Sequence, residues 1–158
     1  MTLHTIPPVW DENSKVLILG SFPSVKSREE GFFYGHKQNR FWKVVANVCN
    51  CPEPKNIDEK KAMLLANGIA VWDVIHSCDI VSSSDSSIKN VVPNDIADIV
   101  QKSHIERIFT NGKKADELYK KYIEQTVGIS AECLPSTSPA NAVWTLEKLC
   151  EEWKIIQK

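Results

Sequence analysis

The residues best equipped for chemistry fall in three loops, each placed near the end of a short apolar run. The first is Gly20-Ser21-Phe22-Pro23-Ser24, beginning directly after VLIL. A glycine there lets the backbone approach a flat ligand closely, and Phe22 offers a stacking face. The same residue types also make an ordinary tight turn. The second loop, within GFFYGHKQNRFWKVV, carries Phe32, Phe33 and Tyr34 ahead of Asn39. Lys26, Arg28, Lys37, Arg40 and Lys43 outweigh Glu29 and Glu30 across this region, so it is locally positive. Aromatics among cations suit base stacking combined with phosphate pairing. The competing reading puts Phe41 and Trp42 in the core and Arg40 and Lys43 on a wet helix face. Asn39 would then be a helix cap, a position asparagine favours. Capping and chemistry can coexist in one amide. The third loop, PSTSPAN, holds Ser136, Thr137, Ser138, Pro139, Ala140 and Asn141 and leads towards a helix. Backbone N–H groups and hydroxyls at a helix N-terminus can hold phosphate, and Lys113 after Gly112 makes a second such place. Both also read as plain capped turns.

Several chemistries are excluded. No GK[ST] follows the first glycine, and neither GxGxxG nor GxSxG occurs. Four histidines, none beside a plausible acid, argue against a serine hydrolase. Cys49, Cys51, Cys78, Cys133 and Cys150 lack paired spacing, which points to free thiols in a reducing compartment and away from a metal centre. The net charge of −1 gives no global basic field, so nucleic-acid binding would need a local patch. No apolar run approaches the roughly 20 residues of a membrane span. The first residues, MTLHTIPPVWDENS, lack a secretory pattern, so the expected location is cytoplasmic.

The elements that must position these loops follow from periodicity. A length of 158 residues predicts one domain, residues 1–158, large enough for its own core. Continuous apolar runs predict strands at Lys15–Leu19, Ile69–Ile75, Arg107–Thr110 and Ala131–Leu134. Phe41, Val44, Val45 and Val48 lie at helical spacing, and Asp58–Asn67 ends at Gly68. Pro93 is read as starting a helix that runs to Lys102, and Lys113–Glu124 as another. A closing helix is expected from Asn141 or Ala142 to Gln157, with Val143, Leu146, Leu149 and Trp153 along one face. HSCDIVSSSDSSIKN reads as a long loop on which Asp85 is surface decoration. Strands alternating with helices predict an α/β fold with a mostly parallel sheet, and its carboxyl-end loops should share one site.

Taken together, LILGSFPS, YGHKQNRFWKVV, NGKKA and LPSTSPAN resemble the uracil-DNA glycosylase superfamily, with the hypoxanthine-DNA (deoxyinosine) glycosylases nearest in look. These motifs run from Leu17 to Asn141 in the superfamily's order, and the His36, Asn39, Arg40, Phe41, Trp42 spacing is the specific part. The resemblance implies a three-layer α/β/α sandwich around a central four-stranded parallel sheet, and excision of a flipped base without a cofactor. It implies that Gly20, Ser21, Phe22, Pro23 and Ser24 line the base pocket and that Tyr34 stacks on the base. It also implies that Leu134 to Asn141 enters the duplex. Better-known branches carry Asp or Asn where this chain has Phe22, and several carry His where it has Leu134. Asn39 is the implied catalytic residue.

The expectation is therefore a monofunctional glycosylase acting on double-stranded DNA that contains deaminated bases, chiefly hypoxanthine. No lysine stands out as a nucleophile. The expected protein is a monomer with no metal and no membrane partner. A uracil or thymine mismatch glycosylase and a non-catalytic module that binds damaged DNA are the alternatives.

Overall fold

A computed structural model describes residues 1–82 and 84–157. The chain runs β1 (Thr2–Leu3), β2 (Val16–Gly20), α1 (Val25–Glu30), α2 (Phe41–Val48), α3 (Ile57–Ala66) and β3 (Ile69–Asp73). It continues with β4 (Ile75–Asp79), β5 (Lys89–Pro93), α4 (Ile96–Gln101), β6 (Arg107–Asn111) and α5 (Lys113–Tyr122). The last elements are α6 (Glu124–Val127), β7 (Ala131–Leu134) and α7 (Leu146–Trp153), with 3₁₀ turns at Asp85–Ser87 and Lys154–Gln157.

The central sheet is parallel, in the order β3-β2-β6-β7. All five residues of β2 are buried, as a strand covered on both faces requires. Its alternation divides the interior. Val16 and Ile18 face a core with Phe41, Val44, Val45, Leu64, Leu149 and Trp153 from α2, α3 and α7. Leu17 and Leu19 face the opposite core, with Ile96, Ile99, Leu118 and Tyr119 from α4 and α5. This is the expected three-layer α/β/α sandwich.

Three expectations for individual elements need correction. The serine-rich stretch is not one loop: β4 and β5 pair antiparallel with β1 at the edge, giving a second sheet in the order β1-β4-β5. Pro93 ends β5 instead of opening a helix, and α4 starts later, capped by the Asp95 carboxylate on the Asp98 N–H. The closing helix begins at Leu146, where Thr145 accepts the Lys148 N–H. Val143 therefore lies outside it and is 81% exposed, apart from the helix face that carries the buried Leu149 and Trp153.

Candidate active site

In the central sheet the chain leaves β2 towards β3 on one side and leaves β6 towards β7 on the other. Loops after β2 and β6 therefore diverge, and a crevice opens between their carboxyl ends. A cavity of about 310 Å³ occupies it, within the size range of small-ligand sites. Its wall includes Gly20 to Ser24, Tyr34, Asn39 and Ser136 to Ala140. All the pocket residues expected from sequence thus meet here, as do most of the PSTSPAN loop.

Gly20 is required by its surroundings. A Cβ on it would stand 2.4 Å from Asp73 Oδ1 and 3.1 Å from the Tyr34 hydroxyl. The Tyr34 ring stacks on Phe41 with centroids 4.0 Å apart, and its own backbone is left-handed at φ 52°. Its enclosed hydroxyl has no hydrogen-bond partner among the described residues. Burial, and secondarily the Asp73 carboxylate, push the phenol well above its ordinary pKa, with Asn111 opposing. Phe22 packs edge-on to His4, with Arg28 over its ring at 5.5 Å. Ser24 lines the cavity while its hydroxyl caps α1 by accepting the Ser27 N–H. Phe32 is core, stacked on Trp42.

Asn39 is held from two sides. Its Oδ1 accepts the Phe41 N–H at 2.9 Å and the Thr137 hydroxyl at 2.8 Å. A backbone N–H can only donate, so this bond fixes which end of the amide is oxygen. Both Oδ1 lone pairs are then used, and Nδ2 donates to no described residue. Asn39 thus supports the first turn of α2 and presents amide N–H groups at the cavity wall. Thr137 is fully buried; its hydroxyl accepts from Asn111 Nδ2 at 3.0 Å, and its N–H donates to Asn111 Oδ1 at 3.0 Å. The three side chains tie the loop before α2, the end of β6 and the PSTSPAN loop into one unit.

Arg40 faces this loop, not a phosphate. Its guanidinium donates to the carbonyls of Thr137, Ser138, Asn141 and Trp144. Within the loop, Ser136 Oγ accepts the Ser138 N–H and Ser138 Oγ accepts the Ala140 N–H. Asn141 Nδ2 donates to the Ser136 carbonyl at 3.0 Å. Helix α7 starts only at Leu146, so this loop is not a helix N-terminus, and the N–H groups of Thr137, Ser138, Ala140 and Asn141 are spent within the protein. Pro139 lines the cavity beside the exposed Ala140. Lys113 opens α5, exposed and outside the cavity wall.

Three wall residues, Asp73, Asn111 and Asp85, were not singled out from sequence or were set aside. Asp73 is 4% exposed, and its Oδ2 lies 2.8 Å from His4 Nε2, so a histidine does meet an acid here. Only the fold brings them together, although a carboxylate inside the apolar run IAVWDVI is itself a signal. Asn111 looked like a turn residue. Asp85, read as decoration, accepts the Ser21 hydroxyl at 3.2 Å at the cavity wall. Burial of its carboxyl raises its pKa, opposed by Ser21 and then Lys114, although the residue as a whole is exposed.

The model of the uracil DNA glycosylase superfamily matches residues 7–158. A hypoxanthine DNA glycosylase of Methanosarcina acetivorans is 33% identical, covering 99% of this chain and 98% of that protein. One from Methanosarcina barkeri is 31% identical, over 89% of each chain. The solution structure of a candidate uracil DNA glycosylase from Methanosarcina acetivorans superposes with a TM-score of 0.80 at 29% identity, covering 97% of both chains. With its motifs gathered at one crevice, this chain belongs to the uracil DNA glycosylase superfamily.

Proposed function

We propose that the base this DNA glycosylase removes is a deaminated one, chiefly hypoxanthine, and that it acts by hydrolysis without strand cleavage. The observation that carries the reading is the locked Asn39 amide, whose oxygen is committed and whose N–H groups, at the cavity wall, have no partner among the described residues. Two relatives named for hypoxanthine, each at least 31% identical, support the choice of base.

Cleaving the N-glycosidic bond leaves positive charge on the sugar and negative charge on the departing base. A fixed donor aimed at the base stabilises that charge without reorganising. Hypoxanthine offers acceptors at O6, N7 and N3. With both Oδ1 lone pairs used, Asn39 serves as a donor to the leaving base or to the water oxygen, not as a base that accepts the water's proton. Extruding the nucleotide costs a few kcal/mol, less at a mispair, which favours damaged sites. Ser136 to Asn141 and Lys113 contact the DNA around the vacated position, and the protein acts as a monomer.

Duplexes holding one inosine, xanthine or uracil, treated with the protein and then with alkali, test the substrate. Strand breakage at inosine above that at uracil is expected; breakage at uracil alone defeats the reading. Asn39→Asp keeps an acceptor for Phe41 and Thr137 but replaces the donor. It should lose about 100- to 1,000-fold in kcat, the usual cost of one such donor, and still bind abasic DNA.

A further inference from the structure

DNA must meet this protein at the crevice, yet few cations there are left to hold it. Arg40 is spent on four carbonyls, and Arg28 donates to the Ser82 carbonyl at 2.6 Å. Lys26 stands 3.6 Å from Glu30, so of the cations expected beside the crevice only Lys37 and Lys43 remain outside such contacts among the described residues. A second cavity, of about 410 Å³, lies between β5 and α5 and holds what the crevice lacks. Lys89, Lys114 and Lys121 line it against one acid, Glu117, and none of the three lysines has an ion-pair partner among the described residues. Lys121 stands over the Tyr122 ring at 5.2 Å instead. Beneath the amines, Val91, Leu118 and Tyr122 form an apolar floor continuous with the core on that side of the sheet.

This groove abuts the crevice at two points. Asp85 is at the crevice wall, and the chain enters the groove three residues later at Ile88. Gly112 packs against Ser136 of the wall, where a Cβ on it would stand 3.1 Å from the Ser136 Cβ, and Lys114 follows two residues on. Lys114 is near enough to Asp85 to oppose the rise in its carboxyl pKa. Along α5, Lys114 and Lys121 share a face and are separated by a rise of about 10 Å. At roughly 3.4 Å per nucleotide along one strand, that spans about three phosphates.

We propose that the β5–α5 groove is a DNA backbone track: Lys89, Lys114 and Lys121 pair with phosphates flanking the extruded nucleotide. The proposal rests on the chain's action on DNA and not on which base leaves. A row of amines over an apolar floor matches the alternation of phosphate and deoxyribose, and such contacts fix the register of a duplex without reading its sequence. They also supply the local field that a net charge of −1 cannot.

Binding to a duplex with one tetrahydrofuran abasic site, measured across a range of salt, tests the track. In the combined variant Lys89→Gln, Lys114→Gln, Lys121→Gln, affinity should fall about 10-fold or more near about 0.1 M salt, and the slope of log K against log salt should lose about one per lysine. Arginine at the same three positions should keep both. Lys15 directly precedes β2, and Lys102 caps α4 ahead of β6. Lys15→Glu combined with Lys102→Gln makes the same change in net charge outside the groove, and it should keep affinity and slope.

The wild type gives an answer that needs no variant to fold. Bound abasic duplex should protect Lys89, Lys114 and Lys121 from amine acetylation while Lys15 and Lys102 stay reactive, and equal labelling with and without DNA overturns the proposal. Unchanged affinity and slope in a folded glutamine variant overturn it as well, as does an equal loss in the Lys15 and Lys102 variant. Unchanged duplex affinity together with lost binding of polyglutamate assigns the groove to an acidic protein and overturns it too. The probe carries no base, so a wrong choice of base in the reading above mimics none of these results.

Discussion

The Thr137 hydroxyl donates to Asn39 Oδ1 at 2.8 Å across 98 residues of sequence, and in doing so it fixes the direction in which the Asn39 amide points. Thr137 is itself aligned by the two Asn111 contacts, so the amide is oriented from the end of β6. Removing this hydroxyl while keeping the side-chain shape isolates orientation from chemistry. Thr137→Val should lower kcat about 10-fold, an effect of misplacing a group that is still present. It should also cost about 1–3 kcal/mol in stability for the broken buried bonds. Single-turnover excision and urea titration measure the two effects, and an unchanged kcat would show that Asn39 needs no brace.

Arg40 tests whether the PSTSPAN loop must be rigid. Four carbonyls converge on one guanidinium, an arrangement a lysine ammonium cannot reproduce. Arg40→Lys should raise amide hydrogen exchange across residues 136–144 and weaken binding to abasic duplex DNA. Exchange in β2 should stay as it was. Weakened binding with unaltered exchange would instead place Arg40 on the DNA.

Gly20→Ala places a methyl group 2.4 Å from a carboxylate oxygen that His4 prevents from retreating. Excision should fall by about 100-fold or more, and overpacking should cost about 1–3 kcal/mol. Gly128→Ala is the control. Its backbone is also left-handed, at φ 77°, but nothing lies within 4 Å of the added methyl. It should lose about 1 kcal/mol with excision unchanged.

Asp85 sets a pH dependence. Burial raises its folded-state pKa above the ordinary 3.8, so the protonated form is the one favoured by folding. Its contribution is fully present below about pH 4 and is lost as pH rises through the raised value. Asp85→Asn should therefore raise the melting temperature slightly relative to wild type at pH 7, and the difference should vanish near pH 3. A wild type that is the more stable at pH 7 would mean that the Ser21 and Lys114 contacts outweigh desolvation.

Much of this architecture is local and so was legible in the sequence. The strand at Ala131–Leu134 was read with its observed limits, and those at Lys15–Leu19 and Arg107–Thr110 to within one residue at either end. Unbroken apolar runs between turn residues declare themselves without tertiary information. The family resemblance, and not any local pattern, carried the expectation of α/β/α layering and of one pocket for Gly20 to Ser24 and Tyr34, residues that do line one cavity. The β4–β5 pair was not legible, because its burial is uneven and serine-rich spacing hides its period. Val143 was misplaced because an apolar residue near a helix start looks like part of its stripe.

Tertiary structure alone decided the chemical state of the site. Asparagine at position 39 can offer an oxygen or an amide N–H; the Phe41 N–H identifies the oxygen locally, and only Thr137, 98 residues away, takes its second lone pair and leaves the N–H groups to face the cavity. Aspartate inside a strand looks like a buried anomaly, and only His4, 69 residues before it in sequence, shows what holds its Oδ2. Residue type sets what a group can donate or accept. Which capacity is left over depends on partners brought together by chain closure, and those partners are not encoded in any local window.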